Sequence, residues 1–160
     1  TRKSVRRCDM ASKEVLVASR EPMPYFKHDS NSVHDDKCMR LILRRGYDGY
    51  GRWWVLCEHL ASSTGHSIAF QTDEDARIIA RVLGFGTGGD FDDLAATEDC
   101  KAFIADLVDL QLLKSDGNGN LHSDRLQENA IQLGQLRANG RKGGRPRKKA
   151  SSEEVTGREV

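Results

Sequence analysis

The chain is poor in proline (three residues) and in aromatics (6%), and no apolar run approaches the ~20 residues that cross a bilayer. Those scarcities exclude a Pro-rich or aromatic low-complexity protein and a membrane-spanning helix. Cysteine is sparse as well. Cys8, Cys38, Cys57 and Cys100 are spaced by 30, 19 and 43 residues, form no C-x-x-C pair, and fit no zinc ribbon or finger. Free thiols on buried helix faces suit a reducing, cytoplasmic compartment. The N-terminus carries no legible secretory signal, since the apolar run Val15-Leu16-Val17-Ala18 is only four residues long. Met10 and Met23 are each placed to be a natural start. No G-K-[ST] element, no nucleophile elbow and no Ser/His/Asp order occurs, so neither an enzyme nor a cofactor is expected.

What is present is charge, unevenly placed. The net charge of +1 over 160 residues sums +4 over residues 1–20, −8 over 21–136, +7 over 137–149 and −2 over 150–160. An acidic body with a basic tail points to a polyanionic partner. Three regions follow: a flexible basic arm over 1–24, closed by Glu21-Pro22-Met23-Pro24; a folded body over 25–136; and a basic, disordered tail over 137–160.

Within the body, the spacing of Cys38, Leu41 and Ile42 predicts a helix over 35–45, ended by Gly46. Tyr50, Trp53, Trp54, Cys57, Leu60 and Ala61 form a broad apolar stripe, which predicts a second helix over 49–63 with both tryptophans as core anchors. A short strand is expected over 66–70. Thr72 then starts a helix whose first turn holds Asp73, Glu74 and Asp75, where the helix dipole favours acids. Residues 84–97, rich in Gly and Asp, read as a loop, and 98–110 as an amphipathic helix. Asp116-Gly117-Asn118-Gly119 supplies the positive-φ positions of a tight hairpin. A last helix starts at Ser123 or Asp124, runs through Leu126, Ala130, Leu133 and Leu136, and fades into Asn139-Gly140.

The expected fold is mainly α with a small β-hairpin wing. It is a winged helix-turn-helix with an extra N-terminal helix and a C-terminal helix, with 98–110 in the recognition position. The outward residues Glu98, Asp99, Asp106 and Asp109 outnumber Lys101, an unusual face for a helix that would enter a DNA groove.

Other constellations are weak. Gly84-Phe85-Gly86-Thr87-Gly88-Gly89 satisfies G-x-G-x-x-G, but a helix precedes it and Asp90, Asp92 and Asp93 follow, which would repel a pyrophosphate. His28, His34, Asp29, Asp35 and Asp36 match no metal-ligand spacing, and capping and solvation account for them. The tail is the sharpest motif. Arg137, Arg141, Lys142, Arg145, Pro146, Arg147, Lys148 and Lys149 are the expected DNA-contacting residues. The Gly144-Arg145-Pro146 core resembles an AT-hook, which lays an extended backbone in the narrow minor groove of A·T-rich DNA. Gly143 stands where that motif usually has an arginine. Seven basic side chains on phosphates would give log K against log salt a slope of roughly −6.

Tyr25-Phe26-Lys27-His28-Asp29, Asp35-Asp36-Lys37 and the run from Gly46-Tyr47-Asp48-Gly49-Tyr50-Gly51 through Trp53-Trp54 to Glu58 carry a resemblance. Together with Leu121-His122-Ser123-Asp124-Arg125-Leu126, they resemble the N-terminal domain of DnaD-like replication proteins of phages and mobile elements. That resemblance covers residues 25–149. It implies a non-enzymatic replication-initiation module in a bacterial cell. Its partners would be A·T-rich duplex or single-stranded DNA, a helicase or its loader, and a second copy of itself. A protein-docking domain and a small transcriptional regulator are the alternatives.

Overall fold

A computed structural model describes residues 11–86 and 93–143. Among them, five α-helices and one three-stranded antiparallel sheet are ordered as α1 (Lys13–Ser19), α2 (Asp36–Ser62), β1 (Ser67–Ala69), α3 (Asp73–Val82), α4 (Asp93–Asp109), β2 (Lys114–Ser115), β3 (Asn120–His122) and α5 (Asp124–Arg141).

Helix α2 begins where the Asp35 carboxylate accepts the N–H groups of Lys37 and Cys38. Gly46 interrupts it with φ 67°, a left-handed conformation that only glycine adopts without strain. The break falls where the sequence predicts one, and the helix resumes at once rather than at Gly49. The second arm buries Trp53, Leu56, Cys57, Leu60 and Ala61. Helix α3 starts with a reciprocal capping box: the Thr72 hydroxyl accepts the Asp75 N–H, and the Asp75 carboxylate accepts the Thr72 N–H. Such a cap stabilises a helix by about 1 kcal/mol.

Strand β3 lies between β1 and β2, giving the order β1-β3-β2. Ile68 faces Leu121 across the first pair, and both are buried. The predicted hairpin forms, with Gly117 and Gly119 at φ 82° and 79°. Leu41, Trp53, Leu56, Leu60, Phe103, Ile104 and Leu107 form the centre of the core, with Met23, Leu113 and Leu121 joining from the edges.

Four expectations need correction. The second half of the supposed flexible arm is helix α1, with Val15 and Ala18 buried. Helix α4 starts at Asp93, inside the predicted loop, because Ala96 and Thr97 already face the core. Helix α5 runs to Arg141, past the expected boundary at 136. Its buried stripe is Leu126, Ala130, Gly134 and Ala138, while Leu136 is 65% exposed. Finally, His66 does not begin the strand. It adopts φ 55°, is buried, and sets Nε2 against Ser19 O at 2.8 Å and Nδ1 against Leu60 O at 3.2 Å. That ring ties the end of α1 to the end of α2.

Candidate nucleic-acid interface

The crossing of α1 over α5 explains where the first basic residues of the tail go. Small residues let the two backbones approach: a Cβ on Gly134 would stand 2.7 Å from Val15 O and 2.8 Å from Ser19 N. Next to this crossing, Arg137 donates to three carbonyls, Ala18 O at 3.2 Å, Glu21 O at 3.1 Å and Pro22 O at 2.7 Å. Ala18 sits in the last turn of α1, and Glu21 and Pro22 follow just after it, so one guanidinium spans the end of that helix and the segment that leaves it. Arg141 meets Glu21 at 2.6 Å and Lys142 meets Glu14 at 3.0 Å. The hydrogen bond from Arg141 holds the Glu21 carboxyl below its ordinary range. Arg137 is therefore a fastener within the fold. Arg141 and Lys142 are fastened at one side and remain 60% and 63% exposed. Arg145, Pro146, Arg147, Lys148 and Lys149 lie outside the described residues.

Helix α4 carries its acids differently. Asp106 takes Arg45 at 2.5 Å and Arg44 at 3.1 Å, and Arg44 also reaches Asp109 at 2.7 Å. Partial burial pushes the Asp106 carboxyl upward, but the bonds from Arg45 and Arg44 outweigh it and hold the group below its usual range. Asp93 takes Arg77 of α3 at 2.5 Å, and Lys101 bridges Glu98 at 2.8 Å and Asp73 at 2.7 Å. So cations from α2 and α3 are drawn onto α4, and Asp106 turns out to be half-buried rather than fully outward. The turn of the hairpin is not basic either. Asp116 accepts the N–H groups of Asn118 and Asn120, and Lys114 pairs with Asp124.

Four of the five His and Asp residues between 28 and 36 are engaged locally. His28 stacks on Trp54 with ring centres 3.7 Å apart, Asp29 pairs with Arg125 at 2.7 Å, Asp35 caps α2, and Asp36 pairs with Arg40 at 2.8 Å. Among the described residues, no group of three His, Cys, Asp or Glu side chains is placed to hold a metal ion. Cys38, Cys57 and Cys100 are free and buried, and burial raises all three thiols, that of Cys100 to about 12. Burial thus favours the neutral thiol at all three. Gly84 and Gly86 both have positive φ and follow α3, so the described part of this glycine segment stands at the end of a helix. The next six residues lie outside the described ones.

These features define a mainly helical domain with a small antiparallel sheet, an acidic α4 and a basic C-terminal end. No helix among the described residues is long and apolar enough to cross a membrane. The chain belongs to the family described as Lin1244/Lin1753-like, N-terminal, whose model matches residues 25–126. That family is associated with proteins of phages and mobile elements. The matched span holds α2, the sheet, α3 and α4, and stops in the first turn of α5. Neither the curated proteins nor the solved structures yield a match to this chain.

Proposed function

We propose that this chain is the winged-helix module of a phage-type replication-initiation protein, of DnaD-like kind, that holds DNA through the basic segment following α5. Three observations support the reading. The order helix, strand, helix, helix, hairpin with sheet order β1-β3-β2 is that of a winged helix-turn-helix. The family is one of phage and mobile-element proteins. The observation that carries it is the fastened base of the tail: Arg137, Arg141 and Lys142 tie α5 to α1 and the residues just after it, so in sequence the run Arg145, Arg147, Lys148 and Lys149 follows a helix end fastened to the body. In this reading Arg137 positions the tail, Arg141 and Lys142 flank it, and the four later cations contact phosphate.

The test is fluorescence anisotropy on A·T-rich and G·C-rich duplexes and on a single strand, across a salt series. The whole chain is compared with one ending at Gly143, which retains the α1–α5 fastening. The whole chain should bind with a log–log salt slope of roughly −4, from four phosphate contacts, and the shortened chain should lose most of the affinity. Equal binding by both chains, or none at low salt, overturns the tail as the contact.

The acidity of α4 favours a second reading, in which that face docks a basic surface of a helicase or its loader. It predicts that the shortened chain still captures such a partner, and that Glu98→Lys with Asp99→Lys abolishes the capture while leaving DNA binding intact.

A further inference from the structure

A cavity of about 260 Å³ opens where five segments converge: Phe26-Lys27, the first turn of α2, its middle turns, the residues after α4, and the first turn of α5. Its apolar walls include Phe26, Trp53, Trp54, Leu112 and Leu126. The indole of Trp54 is locked in place, with Phe26 and His28 stacked along it and Tyr50 edge-on at 6.0 Å.

The polar groups around this cavity are unevenly engaged. Two of its carboxylates are taken: Asp35 accepts the N–H groups of Lys37 and Cys38, and Asp124 pairs with Lys114 and His122. The donors are not. Trp54 Nε1 is buried and has no hydrogen-bond partner. Ser123, only 3% exposed, stands at the N-cap of α5 yet makes no capping hydrogen bond. The first N–H groups of this 18-residue helix therefore lack the side-chain acceptor that an N-cap serine ordinarily supplies. Lys37 Nζ donates only to the Gln111 carbonyl, at 3.0 Å, so its charge has no carboxylate partner. Glu128 is the remaining acid of the lining and lies exposed on α5, one turn further on. An idle serine hydroxyl at a helix N-terminus, with an ammonium that no carboxylate neutralises in the same cavity, forms a site for an anionic acceptor, and the aromatic walls call for an apolar group next to it.

We infer that this cavity binds a small carboxylate bearing an aliphatic group, the chemistry shared by the aliphatic C-terminal residue of a peptide and by a free aliphatic acid. The volume equals that of about nine waters at ~30 Å³ each, enough for one leucine-sized unit. The carboxylate takes the Ser123 hydroxyl and the α5 N-terminus, with Lys37 supplying countercharge, and the aliphatic group lies against Trp53 and Phe26. The site is independent of the tail, so its failure and that of DNA binding are separately visible.

The chain has two tryptophans, so the indole region of a nitrogen–proton correlation spectrum should show two peaks, and Trp54→Phe assigns one of them. N-acetyl-leucine, isocaproate and the neutral N-acetyl-leucinamide are titrated into the whole chain up to about 10 mM, enough to see a millimolar Kd. Both carboxylates should move the Trp54 peak and the amide should leave it in place. Lys37→Gln removes the countercharge, and Ser123→Ala loses the hydroxyl. Each should weaken binding about tenfold, read on the Arg125 and Leu126 amides, with the thermal midpoint checked to confirm folding. Tighter binding of N-acetyl-leucine assigns a peptide terminus, and tighter binding of isocaproate assigns a free acid. An equal response to the amide, no response to either acid, or wild-type affinity in both folded variants overturns the site.

Discussion

Helices α4 and α5 are nearly equal in length, 17 and 18 residues, and both are rich in charge, yet the charges act in opposite ways. On α4, the carboxylates are the residents and the cations come from elsewhere: Arg44 and Arg45 from α2, and Arg77 from α3. On the second half of α5, the cations are the residents and reach out to the carbonyls at the end of α1 and to Glu21 and Glu14. The first pattern knits the body together and leaves an acidic face. The second fixes one helix to a neighbour, just before the basic run of the sequence begins. A charge count alone merges these two uses; the bonds separate them.

The comparison can be broken most sharply at the α1–α5 crossing. Gly→Ala inside a helix ordinarily gains about 1 kcal/mol of stability. At Gly134 the added Cβ would meet backbone atoms of Val15 and Ser19 at under 3.0 Å, so Gly134→Ala should instead lose about 2 kcal/mol in urea unfolding. Gly140, on the same helix with nothing within 4 Å, is the matched control, and Gly140→Ala should follow the ordinary rule. If the two variants behave alike, α1 does not cross α5 as described.

Arg137→Ala comes next. It should cost about 1–2 kcal/mol and raise amide exchange in α1 ahead of the rest of the chain. Arg137→Lys should not restore protection, since the bonds leave from two separate guanidinium nitrogens and an ammonium has only one. The smallest effect belongs to α4. Asp106→Asn should cost about 1 kcal/mol at neutral pH by weakening the Arg44 and Arg45 bonds. Because the folded carboxyl titrates below its unfolded value of about 3.9, its contribution is present above that pH and fades as pH falls through the folded value. The stability gap between variant and wild type should therefore close below about pH 4. A gap that persists in acid would mean that packing, not charge, joins α2 to α4.

Much of the body was legible because its signals are local. The tryptophan stripe of α2, the break at Gly46, the acidic first turn of α3 and the paired glycines of the hairpin all act within a few residues. Helix α1 was not legible. It is seven residues long, too short to stand alone, and exists because Gly134 admits it and Arg137 closes its end. The far half of α5 was misread for the same reason: Ala138 is buried by α1, and without α1 in view Leu136 looked like the inward residue. Seven tail cations read as one class in sequence, whereas three of them contact α1 or the residues just after it. The Trp54 indole was correctly placed in the apolar stripe, but its unmet N–H depends on what five separate segments fail to bring near it.

The length of α5 has a consequence of its own. At ~1.5 Å of rise per residue, its 18 residues span roughly 27 Å. One end forms part of the cavity and the other carries the root of the basic segment. The helix is thus a ruler between two addresses. Under the two proposals, a ligand at the first would not crowd a duplex at the second, and each would raise the local concentration of whatever the other is attached to.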